Sequence, residues 1–331
     1  MRFLIVGFGS IAKRHLRQLK AIDPAFEIAV LRQKTSSADL GEFQPLVARV
    51  FLSEAEALAW SPDAVLVTNP SPFHVSTAIS FARIGSHLFI EKPLSDEEQG
   101  LDALENLVAQ KILVFQVGFV LRFMEPFLAI KNFLDAGRLG KIFSLRAAVG
   151  QNLKSWRGGK DHRQSVTALP ELGGGVVLEL SHEFDYALWF LGAVNRVQAL
   201  TATVSDLGVA VEDVAEIQLG FKSGSVGNIH LDMFDHARNR NCRIVGEKGT
   251  LVWSLEDDHK VRFFDAATQA WTLVWDGAFD HDKMFRSQME HFIACIKAKC
   301  TPCVSMADGR RALELALAVK RSAVERREVL L

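Results

Sequence analysis

The chain opens on an unbroken apolar run, Phe3 to Val6, which predicts a strand buried on both faces. The run stops at Gly7, and a helix-forming stretch follows to about Lys20. Short apolar runs continue to alternate with amphipathic stretches. Further strands are predicted at Phe26–Leu31, Ala48–Phe51, Ala64–Thr68, His87–Ile90 and Leu113–Val117. Between them, helices are expected to about Trp60 after the capping pattern Ser53-x-x-Glu56, over Phe73–Arg83, and after a second capping pattern, Ser95-x-x-Glu98. Strands separated by helices on short connections predict a parallel, doubly wound sheet.

Beyond Gly118 the pattern changes. A helix over Pro126–Ala136 precedes alternating runs at Ile142–Val149, Val197–Thr203, Val214–Phe221, Ser225–Leu231, Asn239–Val245 and Leu251–Trp253. Turns such as Lys222–Ser225 and Gly246–Gly249 join several of them, which predicts a largely antiparallel open sheet. Helices near Lys283–Ala298 and Met306–Arg326 follow, the latter capped by Ser305-x-x-Asp308. The fold class is therefore α/β: an N-terminal Rossmann doubly wound parallel sheet, then a C-terminal α+β domain with that antiparallel sheet. The expected domains are 1–118 and 119–331, with the last helix free to pack back on the first domain.

Composition narrows the function more than the fold. The 331 residues and a hydrophobic fraction of 49% support two sizeable cores. A net charge of −1 offers no electrostatic case for nucleic acid or an anionic membrane surface. No apolar stretch reaches the ~18 residues of a membrane span, and the glycines interrupting the apolar start do not fit a signal peptide. Four cysteines make no disulfide framework, and Cys300-x-x-Cys303, lacking a second ligand pair, reads as a loop pair rather than a zinc or redox site. No metal is expected, and the expected location is cytoplasmic.

The candidate chemistry starts at Gly7-Phe8-Gly9-Ser10-Ile11-Ala12. Gly7 permits a tight turn, Gly9 lets backbone approach a pyrophosphate, and Ala12 lets the helix pack on the strand. The helix N-terminus then offers N–H groups to the phosphates. The second strand ends at Arg32, 25 positions after Gly7, followed by Lys34, Thr35 and Ser36. An NAD-binding chain usually places an acid there; this basic cluster suits a 2′-phosphate and predicts NADP, with NAD as the alternative. A solvated basic loop is the plain alternative for the cluster. Gly7, Arg32, Asn69, Lys92 and Gly118 all follow strand ends, so an open parallel sheet gathers them on its ligand-binding edge.

A second candidate is the stretch after Gly173-Gly174-Gly175. Read as one helix from Val176 to Leu191, it carries Val177, Leu180, Phe184, Leu188 and Leu191 on one face. Glu179, His182, Asp185, Tyr186 and Trp189 fall on the other, an acid–imidazole–aromatic face suited to a cleft. A carboxylate three residues from a histidine can orient its ring. The aperiodic stretch Gln151–Pro170, with Lys154, Trp156, Arg157, Lys160, His162 and Arg163, reads as a substrate loop or a solvated one.

Together these residues resemble the glucose–fructose oxidoreductase/inositol dehydrogenase/rhizopine-catabolism (Gfo/Idh/MocA) oxidoreductases over nearly the whole chain. The resemblance rests on Gly7–Ala12, on Thr68-Asn69-Pro-Ser-Pro-Phe-His74, on Glu91-Lys92-Pro93, and on Gly118-Phe-Val-Leu-Arg122-Phe123. Leu139-Gly140-Lys-Ile142 and the Gly173-Gly-Gly…His182-x-x-Asp185 stretch extend it. It implies a nicotinamide cofactor contacted by Thr68, Asn69, His74 and Glu91 besides the glycine turn. It further implies a sugar, sugar-nucleotide or cyclitol substrate near Arg122, Trp156, Arg157 and Asp185, and an active site between the Rossmann domain and the antiparallel sheet. Lys92 would hydrogen-bond the reacting oxygen and His182 would be the general acid/base. A homodimer or homotetramer through that sheet is implied too. In the family an aspartate stands four residues before this histidine; here that place is Leu178, with Glu179 three before. The wording Glu179-Leu-Ser-His-Glu-Phe-Asp-Tyr186 resembles members of surface-glycan and nonulosonate pathways. A dinucleotide sensor without catalysis and a transient-redox sugar hydrolase or lyase are the rival expectations.

Overall fold

The computed structural model describes residues 1–33, 38–156 and 161–331. Lys34, Thr35, Ser36, Arg157 and Lys160 of the expected sites lie outside the described residues. The chain divides into two compact units, one made of residues 1–120 and 281–310, the other of 121–280 and 311–331.

In the first unit, β1 (Arg2–Val6) leads through Gly7–Gly9 into α1 (Ser10–Ile22), and β2 (Glu27–Leu31) follows. Then come β3 (Arg49–Phe51), α2 (Glu54–Ala59), β4 (Ala64–Val67), α3 (His74–Arg83), β5 (His87–Ile90), α4 (Leu101–Gln110) and β6 (Phe115–Val117). Six parallel strands stand in the order β3-β2-β1-β4-β5-β6, the doubly wound arrangement read from the alternation. The central strands are apolar throughout because helices cover both faces: Phe3, Leu4, Ile5 and Val65 are fully buried. One expected cap fails. Ser95 lies in a turn, where its hydroxyl accepts from Glu97 N–H, and α4 starts six residues later, after Gly100 at φ +81°. Ser53 does precede α2, without a side-chain capping bond.

In the second unit, α5 (Glu125–Asp135) precedes β7 (Ile142–Gly150) and the single turn α6 (Leu153–Trp156). The expected single helix is two: α7 (Val176–Glu179) and α8 (His182–Leu191). Then come β8 (Val194–Ala202), β9 (Val214–Phe221), β10 (Val226–Asp232), β11 (Asn239–Gly246), β12 (Gly249–Ser254), β13 (Val261–Asp265) and β14 (Ala270–Trp275). Of these, β13 and β14 were not expected. Alternation over Val261–Asp265 is interrupted by the pair Phe263-Phe264, and β14 is an edge strand with little burial.

The remaining elements are α9 (His281–Ala298), α10 (Met306–Glu325) and the short β15 (Val329–Leu330), which pairs with β8. The nine-stranded sheet is antiparallel except where β10 lies parallel to β7. Residues 281–310 were expected with the second domain, but they belong to the first unit. There Met289, Phe292 and Ile293 of α9 join the core around Phe3, Leu16 and Phe89. Each such side chain contributes roughly 1.5–3 kcal/mol on burial. Ser305 and Asp308 form the expected reciprocal cap of α10.

Candidate functional site

The edge of the first sheet is built by strand ends tied to one another. Gly7 has φ +87°, and its N–H donates to Leu31 O at 2.9 Å. A Cβ on Gly7 would stand 3.0 Å from both Asn69 N and Thr68 O, so this turn needs glycine for its own packing. Gly9 differs. Among the described residues a Cβ there would meet nothing within 4 Å, which leaves open space beside it. Gly9 is also the N-cap of α1, which has no side-chain capping bond and no acid in its first turn. An open glycine beside an acid-free helix N-terminus fits the pyrophosphate of a dinucleotide. Ser10 and Ile11 form that first turn, while the Phe8 ring turns aside against Phe43, 5.7 Å between centroids.

The other expected residues at this edge divide by what holds them. The Thr68 hydroxyl donates to Val6 O at 2.8 Å, and Asn69 Nδ2 donates to the Thr77 hydroxyl at 3.0 Å. His74, expected at the cofactor, is buried, with ring nitrogens 2.9 Å from Pro93 O and 2.7 Å from Asn69 O. Burial pulls its pKa below the usual value, so a neutral ring donates to one of these carbonyls at a time. Glu91, also expected at the cofactor, is bonded inward: Oε1 lies 2.6 Å from His15 Nε2, and Oε2 accepts from Lys92 N–H at 3.2 Å. Both residues help to hold the turn. Gly118 makes room for this carboxylate, since a Cβ there would stand 2.8 Å from Glu91 Oε2. Lys92 is half-buried and precedes the cis-proline Pro93. Arg32, at the end of β2, donates from its guanidinium to Asp39 O at 3.1 Å.

In the second unit the three glycines prepare the way to His182. A Cβ on Gly174 would stand 2.6 Å from Thr167 O and 2.8 Å from both Val166 O and Leu169 O. Gly175, at φ +109°, hands the chain to α7, whose first N–H donates to Glu212 O. The Thr167 hydroxyl donates to Glu179 Oε2 at 3.1 Å. Leu180 (φ −97°, ψ 34°) leaves helical geometry there, and His182 begins α8. Glu179 and His182 therefore lie on either side of a break.

That break overturns the expected two-faced helix. Asp185 and Tyr186, assigned to a cleft, are 1% and 0% exposed. Asp185 forms a bidentate ion pair with Arg122, with Nη2–Oδ1 at 2.6 Å, so two residues expected at the substrate serve each other in the interior. The Arg122 guanidinium also lies 5.4 Å from the Trp189 ring centroid. Tyr186 packs edge-on against Phe127 at 5.0 Å. Glu179, His182 and Trp189 stay half-buried. Trp156 donates its indole N–H to Gln151 O at 3.0 Å, next to the undescribed 157–160.

Residues 1–119 match the oxidoreductase family with the NAD-binding Rossmann fold, and residues 127–252 match the GFO/IDH/MocA C-terminal domain. The chain belongs to the GFO/IDH/MocA oxidoreductases. It is 26% identical to the myo-inositol 2-dehydrogenase of Thermotoga maritima, covering 99% of this chain and 98% of that one. Its fold is shared with a levoglucosan dehydrogenase solved with NADH and levoglucosan (TM-score 0.87, 20% identity, 100% and 99% covered). It is also shared with the WlbA dehydrogenase from Bordetella pertussis, solved with NADH and UDP-GlcNAcA (TM-score 0.84, 23% identity, 100% and 98% covered). Among the described residues no helix is long and apolar enough to cross a membrane, and no cluster of ligating side chains could hold a metal ion.

Two polar pairs escaped sequence reasoning. His15 holds Glu91, and Arg240 pairs with the buried Glu183 through Nε–Oε1 at 2.7 Å. A signal existed for the first: His15 lies among Ala12, Leu16 and Leu19 on the buried face of α1, where an imidazole needs a partner. Nothing local links Arg240 to Glu183, 57 residues away.

Proposed function

We propose that this oxidoreductase moves a hydride between a carbinol carbon of a sugar, sugar nucleotide or cyclitol and a nicotinamide dinucleotide held at the Gly7–Ile11 turn. The observation that carries the reading is the pair of unlike glycines. Gly7 is demanded by the protein's own packing, whereas Gly9 and the acid-free start of α1 leave room for phosphates. Bound nicotinamide supplies the hydride acceptor. In this reading the His182 imidazole takes the hydroxyl proton, as a base whose ordinary pKa of ~6.5 suits neutral pH. The Lys92 ammonium steadies the negative charge that builds on a reacting oxygen. Glu179, fixed by Thr167, orients the start of α8.

Arg32 at the end of β2 favours NADP over NAD in this proposal. The substrate class follows the relatives, which are named as inositol and levoglucosan dehydrogenases, while the Glu179–Tyr186 wording leans toward surface-glycan sugars. The cytoplasm is the proposed location. The nine-stranded sheet leaves one face open, with Leu200, Val226, Trp271 and Leu273 exposed on it, which supports a homo-oligomer packed there. On β10 the apolar Ile229 and Leu231 are buried, so that strand shows Val226, Asn228 and His230 on its open face. The test is a turnover screen of cyclitols, sugars and sugar nucleotides with NAD and NADP, read by nicotinamide absorbance. Reduction with one class that collapses in His182→Ala supports the proposal. Dinucleotide binding without turnover in any class would overturn it in favour of a sensor.

A further inference from the structure

Helix α9 ends in an unusual pair of thiols. Lys299 takes φ +52°, and Cys300 N–H reaches back to Cys295 O at 3.1 Å. A left-handed residue after the last helical turn, with a hydrogen bond from the next residue to the carbonyl five before it, is a Schellman cap. Such a cap brings two side chains together by its backbone alone, those of the two hydrogen-bonded residues. They are ordinarily apolar. Here both are cysteines, one buried and one exposed.

A third group completes the arrangement. His291 lies one turn before Cys295 on α9, and its Nε2 is 3.5 Å from Cys295 Sγ. The same nitrogen accepts the Cys303 N–H at 3.0 Å, which fixes it as the lone-pair nitrogen of a neutral ring. Burial also pulls the His291 pKa down and keeps that ring neutral.

We propose that Cys295 and Cys300 are a reversible oxidation site, whose disulfide staples the carboxyl end of α9. The oxidant is a small-molecule disulfide. The exposed Cys300, as thiolate, attacks one sulfur of the oxidant, forming a mixed disulfide and releasing one small thiol. Cys295 then passes its proton to His291 Nε2, which gives up the Cys303 N–H to take it, and attacks the Cys300 sulfur. The protein S–S bond forms, the bond to the small thiol breaks, and the departing thiolate takes up the proton. Two protein thiols lose two electrons, and the oxidant becomes two thiols. His291 is needed because burial pushes the Cys295 thiol up to about 12, where it does not ionise unaided. Cys300-x-x-Cys303 looks like the redox pair from spacing, but the cap selects Cys295 as the partner instead.

The test uses the full-length protein, native and reduced, treated with excess oxidised glutathione, alkylated and digested with trypsin. Cleavage after Lys297 and Lys299 separates Cys295 from Cys300 and Cys303. The expected result is a disulfide-linked pair of those two peptides in the parent and in Cys303→Ser, and none in Cys300→Ser. His291→Ala should accumulate the Cys300–glutathione adduct, with closure slowed about tenfold or more. A bridge within the Cys300–Cys303 peptide, a linked pair that survives in Cys300→Ser, or a glutathione adduct as the end product in the parent would each overturn the proposal.

Discussion

The two units prepare their candidate residues by different means. In the first, Gly7, Arg32, Asn69 and Lys92 follow strands of a parallel sheet, and the common register of those strands delivers them to one edge. Hydrogen bonds from strand end to strand end then hold them: Gly7 to Leu31, Thr68 to Val6, Glu91 to Val67, Gly118 to Ile90. In the second unit no register helps. Gly174 passes against the carbonyls of Val166, Thr167 and Leu169, one helical turn follows, and a break sets His182 at the start of α8. A sheet edge positions residues by repetition, so each is supported by neighbours doing the same thing. A broken helix positions one residue, and its accuracy depends on a few particular contacts.

The sharpest use of this contrast is at the two proposed catalytic residues. Lys92→Ala and His182→Ala should each lower kcat by ~10²–10⁴-fold with dinucleotide affinity retained. Parent-level turnover in both variants would remove the proposed chemistry and leave both folds untouched. Next come the glycines. Gly174→Ala forces a methyl against three carbonyl oxygens, and Gly7→Ala combines a positive φ with two backbone contacts at 3.0 Å. Each should destabilise its unit by about 1–3 kcal/mol in denaturant titration. Gly9→Ala should leave stability within about 0.5 kcal/mol while weakening dinucleotide binding. Equal stability losses at Gly7 and Gly9 would erase the distinction drawn between them.

A smaller effect is expected at Arg32. Losing one hydrogen bond to a charged group costs ~1.5–3 kcal/mol, so Arg32→Asp should lower NADPH affinity roughly ten- to a hundredfold relative to NADH. An unchanged ratio of dissociation constants would reject the NADP preference alone. The smallest concerns β10, where His230 sits between Asp232 and Glu216. The hydrogen bond to Asp232 is the leading cause that raises its pKa to about 9. A raised histidine pKa stabilises the fold fully below the unfolded value of ~6.5, and that contribution is lost as pH climbs through the folded value. The parent should therefore melt on the order of 2 °C above His230→Gln near pH 6. The gap should close by about pH 10; a gap constant across that window would assign it to packing.

The same contrast explains what was legible in the sequence. Strand Val214–Phe221 and strand His87–Ile90 were read to the residue, because hydrophobic runs bounded by turns are local signals. The glycine turn was legible for the same reason. The break at Leu180 was not, since Val176–Leu191 carries no proline or internal glycine and its helical period is unbroken. The constraint comes from Thr167 and Glu212, distant in sequence. Asp185 was misplaced by the same logic: a helical wheel shows a polar face but not that Arg122 waits inside to meet it. Polar residues near a site announce their chemistry, whereas burial decides whether that chemistry is offered or consumed.

One consequence of the chain's path concerns its birth. The first unit's last strand ends at residue 117, but α9, which seals its core, starts at 281, so residues 118–280 intervene. At synthesis rates of ~5–20 residues per second, the ribosome needs roughly 10–30 s to bridge that interval. Throughout it, Phe3, Leu16 and Phe89 lack the Met289, Phe292 and Ile293 that cover them in the finished protein. The second unit is similarly unfinished until β15 docks on β8. Neither half of this molecule can be completed on the nascent chain before the other is nearly made, so the interval over which its apolar surface stays uncovered is set by the path of the chain.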